Sequence, residues 1–185
     1  MIETIFNDSL YAIDLNRSLS PNDCVEIQRT QENIIRSNEG GYHSDNLIHL
    51  PLLAPLIQTI REHATIYAND LGLQSHLNVK NIWLNINGYG NYNKPHVHPQ
   101  SCLSGVYYVT CPQNSGQIKF IRENSKLIDS YWLPYKKKET PYSWNEFGVP
   151  PRAGLLLLFP SYMEHYVEPN RNERLPRMSF SFNLS

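Results

Sequence analysis

The apolar positions of this sequence change period near residue 79. Upstream they recur every three or four residues, and downstream they alternate. Leu52, Leu53, Leu56, Ile57, Ile60, Ala64, Tyr67 and Leu71 share one helical face, and Gly72 is a natural terminator. A shorter helix is predicted to start at Ser20-Pro21-Asn22-Asp23. Serine caps the free amides, Pro21 suits the first helical position, and Asp23 sits at the positive end of the dipole. Cys24, Ile27, Ile34 and Ile35 give this helix an apolar face, and it should stop near Gly40-Gly41. Before it, residues 1–16 read as an opening strand or extended segment. Ile2, Ile5 and Phe6 precede the turn-like Asn7-Asp8-Ser9, and Leu10 to Ile13 follow it.

From Val79 to Asn87, Ile82, Leu84 and Ile86 alternate with Trp83, Asn85 and Asn87, as in a strand with two different faces. Residues 103–110, 117–121, 154–159, 164–168 and 176–184 are further strand candidates, separated by Gly, Pro and Asn. Two helices followed by many short strands predict a mainly β fold, a sandwich or small barrel braced by the N-terminal helices. The stretch from Glu123 to Pro150, polar and rich in Tyr and Trp, reads as an extended loop or lid.

Bulk properties narrow the class. With 41% hydrophobic and 18% charged residues among 185, the protein is expected to be one globular domain over 1–185. No apolar run approaches bilayer length and residues 1–20 lack a signal pattern, so the cytoplasm is the expected compartment and no membrane partner is expected. Cys24, Cys102 and Cys111 are widely spaced and odd in number, which reads as small buried hydrophobes rather than a disulfide framework. A net charge of −1 gives no ground for a nucleic-acid partner. The one basic cluster, Lys136-Lys137-Lys138, reads as a solvated loop.

Candidate chemistry centres on His96-Val97-His98. In extended backbone, residues i and i+2 point to one side, so both imidazoles can converge on an ion. Imidazole suits iron, zinc, copper and nickel alike. His165 follows the apolar strand Leu155 to Phe159 and the turn Pro160-Ser161; alone it reads better as a half-buried residue after a core strand than as a ligand. Twelve residues later the sequence alternates strictly: Met178, Phe180, Phe182 and Leu184 on one face, Arg177, Ser179, Ser181 and Asn183 on the other. That polar face either meets water or lines a cavity. In the second case Arg177 and Ser179 form a carboxylate receptor, a bidentate guanidinium with one added hydroxyl.

Taken together, these elements resemble the 2-oxoglutarate- and Fe(II)-dependent oxygenases. That superfamily has an early His-x-Asp/Glu pair, a distal histidine, and about ten residues later an arginine or lysine, often as Arg-x-Ser. The wider pattern is similar to an uncharacterised bacterial and phage branch with a His-x-His-Pro motif. It is carried by Trp83-Leu84-Asn85, His96-Val97-His98-Pro99, Ser104-Gly105-Val106-Tyr107-Tyr108, Phe159-Pro160-Ser161, His165-Tyr166-Val167 and Arg177 to Asn183.

The resemblance implies a double-stranded β-helix, the jelly-roll or cupin-like barrel, over about 79–185, braced by helices over about 20–72. It implies Fe(II) held by His96, His98 and His165, with Arg177 and Ser179 fixing the far carboxylate of 2-oxoglutarate. Asn85 and Tyr107 become polar neighbours of the co-substrate or the ligands, or else a structural hydrogen bond and a core aromatic. The implied activity is dioxygenation of a small-molecule or peptide substrate with release of succinate and CO2.

One departure stands out: His98 occupies the position of the usual carboxylate, leaving the site more positive by about one charge. Glu164 points away from His165 in a strand and is set aside as a ligand. Two other readings use the same residues. A cupin would place a glutamate a few residues after His98, where this sequence has Cys102 and Leu103. A non-catalytic ligand-binding or accessory protein would keep the fold and lose the chemistry.

Overall fold

The computed structural model describes all residues except 1–2, 4–7, 16–18 and 75. Ile2, Ile5 and Phe6 therefore lie outside the described residues. Strand β1 (Tyr11–Asp14) is followed by helix α1 (Pro21–Thr30), strands β2 (Asn38–Glu39) and β3 (Tyr42–His43), and helix α2 (Ala54–Asp70), which a 3-10 turn at Pro51–Leu53 introduces. Then come β4 (Val79–Asn87), β5 (Tyr92–His96), β6 (Leu103–Thr110) and β7 (Ile118–Ile121). Helix α3 (Ser125–Trp132), a 3-10 turn at Leu133–Tyr135, β8 (Glu146–Val149), β9 (Leu155–Pro160), β10 (His165–Val167) and β11 (Arg177–Leu184) complete the fold.

The strands form two antiparallel sheets. One has six strands in the order β1-β9-β6-β11-β4-β3, and the other five in the order β2-β5-β10-β7-β8. This is the predicted mainly β architecture, with sequence neighbours often placed in opposite sheets. Both sheets are amphipathic, and two apolar clusters result. The larger joins Leu56, Ile60, Ala64 and Tyr67 of α2 to Ile82, Leu84, Tyr107, Phe180 and Phe182 of the six-stranded sheet. The smaller lies between the sheets and contains Val106, Tyr108, Ile118, Phe120, Leu155, Leu157 and Phe159. Strand β9 is buried on both faces, which explains its unbroken run of leucines.

Two expectations need correction. Helix α1 begins as predicted, with a complete Ser20–Asp23 capping box, but it ends at Thr30. Residues 28–33 are all polar, so continuing the helix would bury nothing between Ile27 and Ile34. Instead the Thr30 hydroxyl donates back to the carbonyls of Glu26 and Ile27, at 3.1 and 3.2 Å. The backbone then runs extended beside β3, with the Ile34 N–H donating to the His43 carbonyl at 2.9 Å. Ile35 is left 90% exposed rather than on an apolar helix face. The second correction concerns residues 123–150, which are not a plain loop. They contain α3 and β8, and β8 extends the five-stranded sheet by pairing with β7.

Gly105 shows how tightly the sheet and the inner layer are joined. A Cβ at this position in β6 would lie 2.5 Å from both the Leu157 carbonyl oxygen and the Phe182 ring. The backbone oxygen cannot retreat without breaking the β6–β9 ladder. Gly105→Ala is expected to cost about 3 kcal/mol, read as a fall in Tm of roughly 6–12 °C in a thermal melt.

Candidate metal centre

Strand β5 delivers His96 at its last residue, and His98 follows two positions on. Strand β10 opens with His165, which sits directly opposite His96 in the antiparallel register. Pairing two strand ends therefore gathers three imidazoles. One nitrogen from each of His96, His98 and His165 can be chosen so that all three lie within 4.8 Å of one another, close enough to hold a metal ion. Ring centroids are 4.4 Å apart for His96–His165, 5.0 Å for His96–His98 and 5.1 Å for His98–His165. Among the described residues no carboxylate joins this cluster, and Glu164 is exposed.

Hydrogen bonds orient two of the rings. His96 Nδ1 lies 2.6 Å from the Lys94 carbonyl, and His165 Nδ1 lies 2.9 Å from the Met163 carbonyl. A carbonyl accepts only, so in each ring Nδ1 carries the proton and Nε2 is left as the donor for a metal. His98 is held differently: its backbone N–H donates to the Ser161 carbonyl at 3.0 Å, and its ring leans on Trp83 at 5.9 Å. His165 is wedged against Phe159 and Phe120, at 4.7 and 5.9 Å between ring centroids.

This packing keeps the rings neutral. Burial lowers the pKa of all three histidines below the usual imidazole value. For His98 burial and then the nearby His96 bring it to about 4. For His165 burial, followed by His96, brings it to about 3. Protons are thus excluded where a cation would be welcome, and the donor set suits a first-row divalent metal.

Behind the triad is a cavity of about 40 Å³, lined among others by Asn85, Tyr108, Arg177, Ser179 and Ser181. Arg177 is only 2% exposed. Its Nη1 donates to the Ser115 carbonyl and, at 3.3 Å, to the Glu168 carbonyl, while Nη2 has no partner among the described residues. None of the ion pairs among the described residues includes it. A buried guanidinium with an unsatisfied N–H, facing a cavity lined by no carboxylate, has the chemistry to receive an anion. Burial favours its neutral form and so lowers its pKa, yet arginine remains charged.

In front of the triad lies a much larger open cleft of about 540 Å³, which shares Ser37, Trp83, His96 and His98 with the inner cavity. His96 and His98 thus stand between a narrow chamber and a wide mouth, while His165 lines only the chamber.

The predicted site residues divide accordingly. His96, His98, His165, Arg177, Ser179 and Asn85 all line the inner cavity. Asn85 is fixed there, donating to Ser181 Oγ at 3.1 Å and accepting from Asn38 at 3.3 Å. Tyr107 does not join them. It faces the helix-side core opposite Phe180, and its neighbour Tyr108, opposite Ser179, reaches the cavity instead. The register provides the reason: the side chains of a strand alternate, so the residue across from Ser179 shares its face. That same rule marks Trp83 and Asn87 as cavity residues from Asn85. His43, isolated in a two-residue strand, leaves no comparable signal. Tyr131, Trp132, Tyr135, Tyr142 and Trp144 are exposed and line neither space, so they do not cover the site.

Fold and site together define a double-stranded β-helix with a three-histidine cluster that could hold a metal ion and a buried arginine beside it. Solved structures of that fold are similar to it throughout. The α-ketoglutarate-dependent epimerase SnoN from nogalamycin biosynthesis matches with a TM-score of 0.68 at 15% identity, over 96% of this chain and 78% of its own. A prolyl-4-hydroxylase from Pseudomonas putida matches with a TM-score of 0.61 at 14% identity, over 96% and 92%. A 2OG-Fe(II) oxygenase family protein from Burkholderia pseudomallei matches with a TM-score of 0.59 at 12% identity, over 95% and 84%. No curated protein matches the sequence. The model of the family described as "Putative 2OG-Fe(II) oxygenase" matches residues 81–183, and the protein belongs to that family. It is an oxidoreductase of the type that uses Fe(II) and 2-oxoglutarate.

If all three rings are ligands, replacing any one removes more than an outer-shell partner, whose loss costs about 10- to 100-fold in metal affinity. His96→Ala, His98→Ala and His165→Ala should each lose Fe(II) by a larger factor in anaerobic titrations. His98→Asp should keep it. Unchanged binding by His98→Ala would remove His98 from the ligand set.

Proposed function

We propose that this protein couples the oxidative decarboxylation of 2-oxoglutarate to oxidation of an organic substrate, a small molecule or a peptide, in the open cleft. His96, His98 and His165 would hold Fe(II), and Arg177 with Ser179 would bind the distal carboxylate of 2-oxoglutarate. The observation that carries this reading is the unpartnered Nη2 of buried Arg177, in the same narrow cavity as the three histidines. When bound, Fe(II) supplies the site at which oxygen and the 2-oxo acid meet, chemistry that no side chain here provides.

The protein's own residues do the rest. Carbonyls of Ser115 and Glu168 hold the guanidinium in place, so a carboxylate finds its partner already oriented. Asn85, tied to Asn38 and Ser181, adds a fixed polar wall. Phe120 and Phe159 keep water from the back of His165. Trp83 separates the chamber from the cleft and gives the substrate a flat surface beside His98. We place the protein in the cytoplasm, on the support of cysteines that form no disulfide among the described residues. Among the described residues no helix is long and apolar enough to cross a membrane.

Anaerobic addition of Fe(II) and 2-oxoglutarate should give the visible charge-transfer band of the chelate. Arg177→Ala should weaken 2-oxoglutarate binding by at least about 30-fold, the cost of truncating one side of a buried charge pair. Because Arg177 also holds two loops, Ser179→Ala serves as a milder probe, and a loss of roughly 3- to 10-fold is expected for one hydrogen bond. A protein that shows no band and takes up zinc alone would instead be a cupin-like or purely ligand-binding relative.

A further inference from the structure

The open cleft has a chemistry of its own. Most of its polar lining is already committed to the fold. Asn46 Oδ1 accepts from the N–H groups of Ile48 and Ile82, both at 3.1 Å. Ser44 Oγ accepts from the Leu84 N–H and donates to the Asp45 carbonyl. Asn183 is bonded to Ser104 and Asn81. Two full charges are not committed. Arg36 and Asp45 both line the cleft, and neither side group has a hydrogen bond or an ion pair among the described residues, with the other or with anything else.

His43 relates these charges to the metal centre. Its backbone N–H donates to Asn33 at 2.9 Å and its Nδ1 to the Ser44 carbonyl at 2.8 Å, so the ring is fixed and its Nε2 is an acceptor. Arg36 and Asp45 both act electrostatically on this ring, in opposite senses, which places it within the field of each. The ring stacks on Trp83 at 5.5 Å with an interplanar angle of 13°, and Trp83 in turn leans on His98 at 5.9 Å. A flat wall of two rings therefore runs from the separated charges to the histidine triad.

We propose that the cleft binds a free α-amino acid, with its carboxylate on Arg36 and its ammonium on Asp45, and presents a carbon of its side group to the metal centre. This rests on the oxygenase reading above and adds the substrate class to it. A zwitterion satisfies both charges at once, whereas a peptide end carries only one of them. The two ring-to-ring steps keep the α-carbon away from His98, so oxidation falls on the side group lying along His43 and Trp83. One carbon–hydrogen bond of that group becomes a carbon–hydroxyl bond with one atom of O2. The other oxygen atom enters succinate as 2-oxoglutarate loses CO2, and substrate and keto acid each give two electrons to O2. A cleft of this volume admits any standard amino acid.

The test uses the anaerobic protein loaded with Fe(II) and 2-oxoglutarate. Absence of the chelate band would sink the oxygenase reading and this one with it. With the band present, the standard L-amino acids are titrated one at a time by calorimetry, then assayed in air for succinate release. At least one should bind, stimulate succinate release and gain one oxygen atom by mass spectrometry. Its N-acetyl and carboxamide derivatives should each bind about 10- to 100-fold more weakly, the worth of a charge-assisted hydrogen bond. Arg36→Gln should abolish the preference for acid over amide, and Asp45→Asn the preference for free over acetylated amine. These are ratios within one variant, so partial loss of folded protein does not mimic them. If the band forms but no amino acid binds, or the blocked derivatives bind equally well, the zwitterion assignment is wrong and the oxygenase reading survives.

Discussion

The structure depends on one strand being hydrogen-bonded on both sides. Strand β11 pairs antiparallel with β4 along one edge and β6 along the other, over nearly its whole length. With both edges committed, it has no freedom to slip, and its period of two becomes a sorting rule for side chains. Met178, Phe180, Phe182 and Leu184 enter the core under the helices. Arg177, Ser179 and Ser181 enter the cavity. A slip of one residue would exchange the two sets, placing a guanidinium in the helix interface and phenylalanines in the chamber.

The partners of β11 extend that rule outward. Asn87, Asn85 and Trp83 of β4 stand opposite Arg177, Ser179 and Ser181, and Tyr108 and Val106 of β6 stand opposite Ser179 and Ser181. The cavity wall is thus a patch of three strands read on alternate residues. The second sheet supplies the facing pair His96 and His165 at the ends of β5 and β10, with Asn93, Ile118 and Val167 completing the lining. Two sheets meet at this point, one presenting the buried guanidinium and the other gathering the imidazoles.

Much of this was legible from spacing. Helix α2 and strands such as β4 and β11 follow the apolar period because one face of each is buried in the large cluster, and β9 shows instead as an unbroken apolar run because both its faces are buried. The grouping of His96, His98, His165, Arg177 and Ser179 was also legible, since strand alternation and sequence order together constrain it. What escaped has physical causes. Helix α1 looked longer than it is because Ile34 and Ile35 fell at helical spacing, although the polar turn before them buries nothing. Strands β2, β3 and β8 are held by edge pairing rather than by an apolar pattern of their own, so no periodicity announced them. Helix α3 buries no residue, and burial is what makes a helix visible in sequence. Tyr107 and Tyr108 are chemically identical, and only the register with Ser179 tells them apart.

Arg177 also has a meaning for the life of the protein. An ion confined to the interior without a direct ion pair, with the Glu168 carboxylate acting on it only at a distance, makes the native state less stable than its apolar packing alone would make it. If 2-oxoglutarate binds there as proposed, its carboxylate contributes to holding the protein folded. Such a ligand adds RT ln(1 + [L]/Kd), about 2.7 kcal/mol at a hundredfold excess over Kd, to the balance between folded and unfolded forms. A cell poor in 2-oxoglutarate would then hold a protein that unfolds more often and is degraded sooner. Supply of the co-substrate would govern how much of this protein persists, quite apart from how fast each copy works.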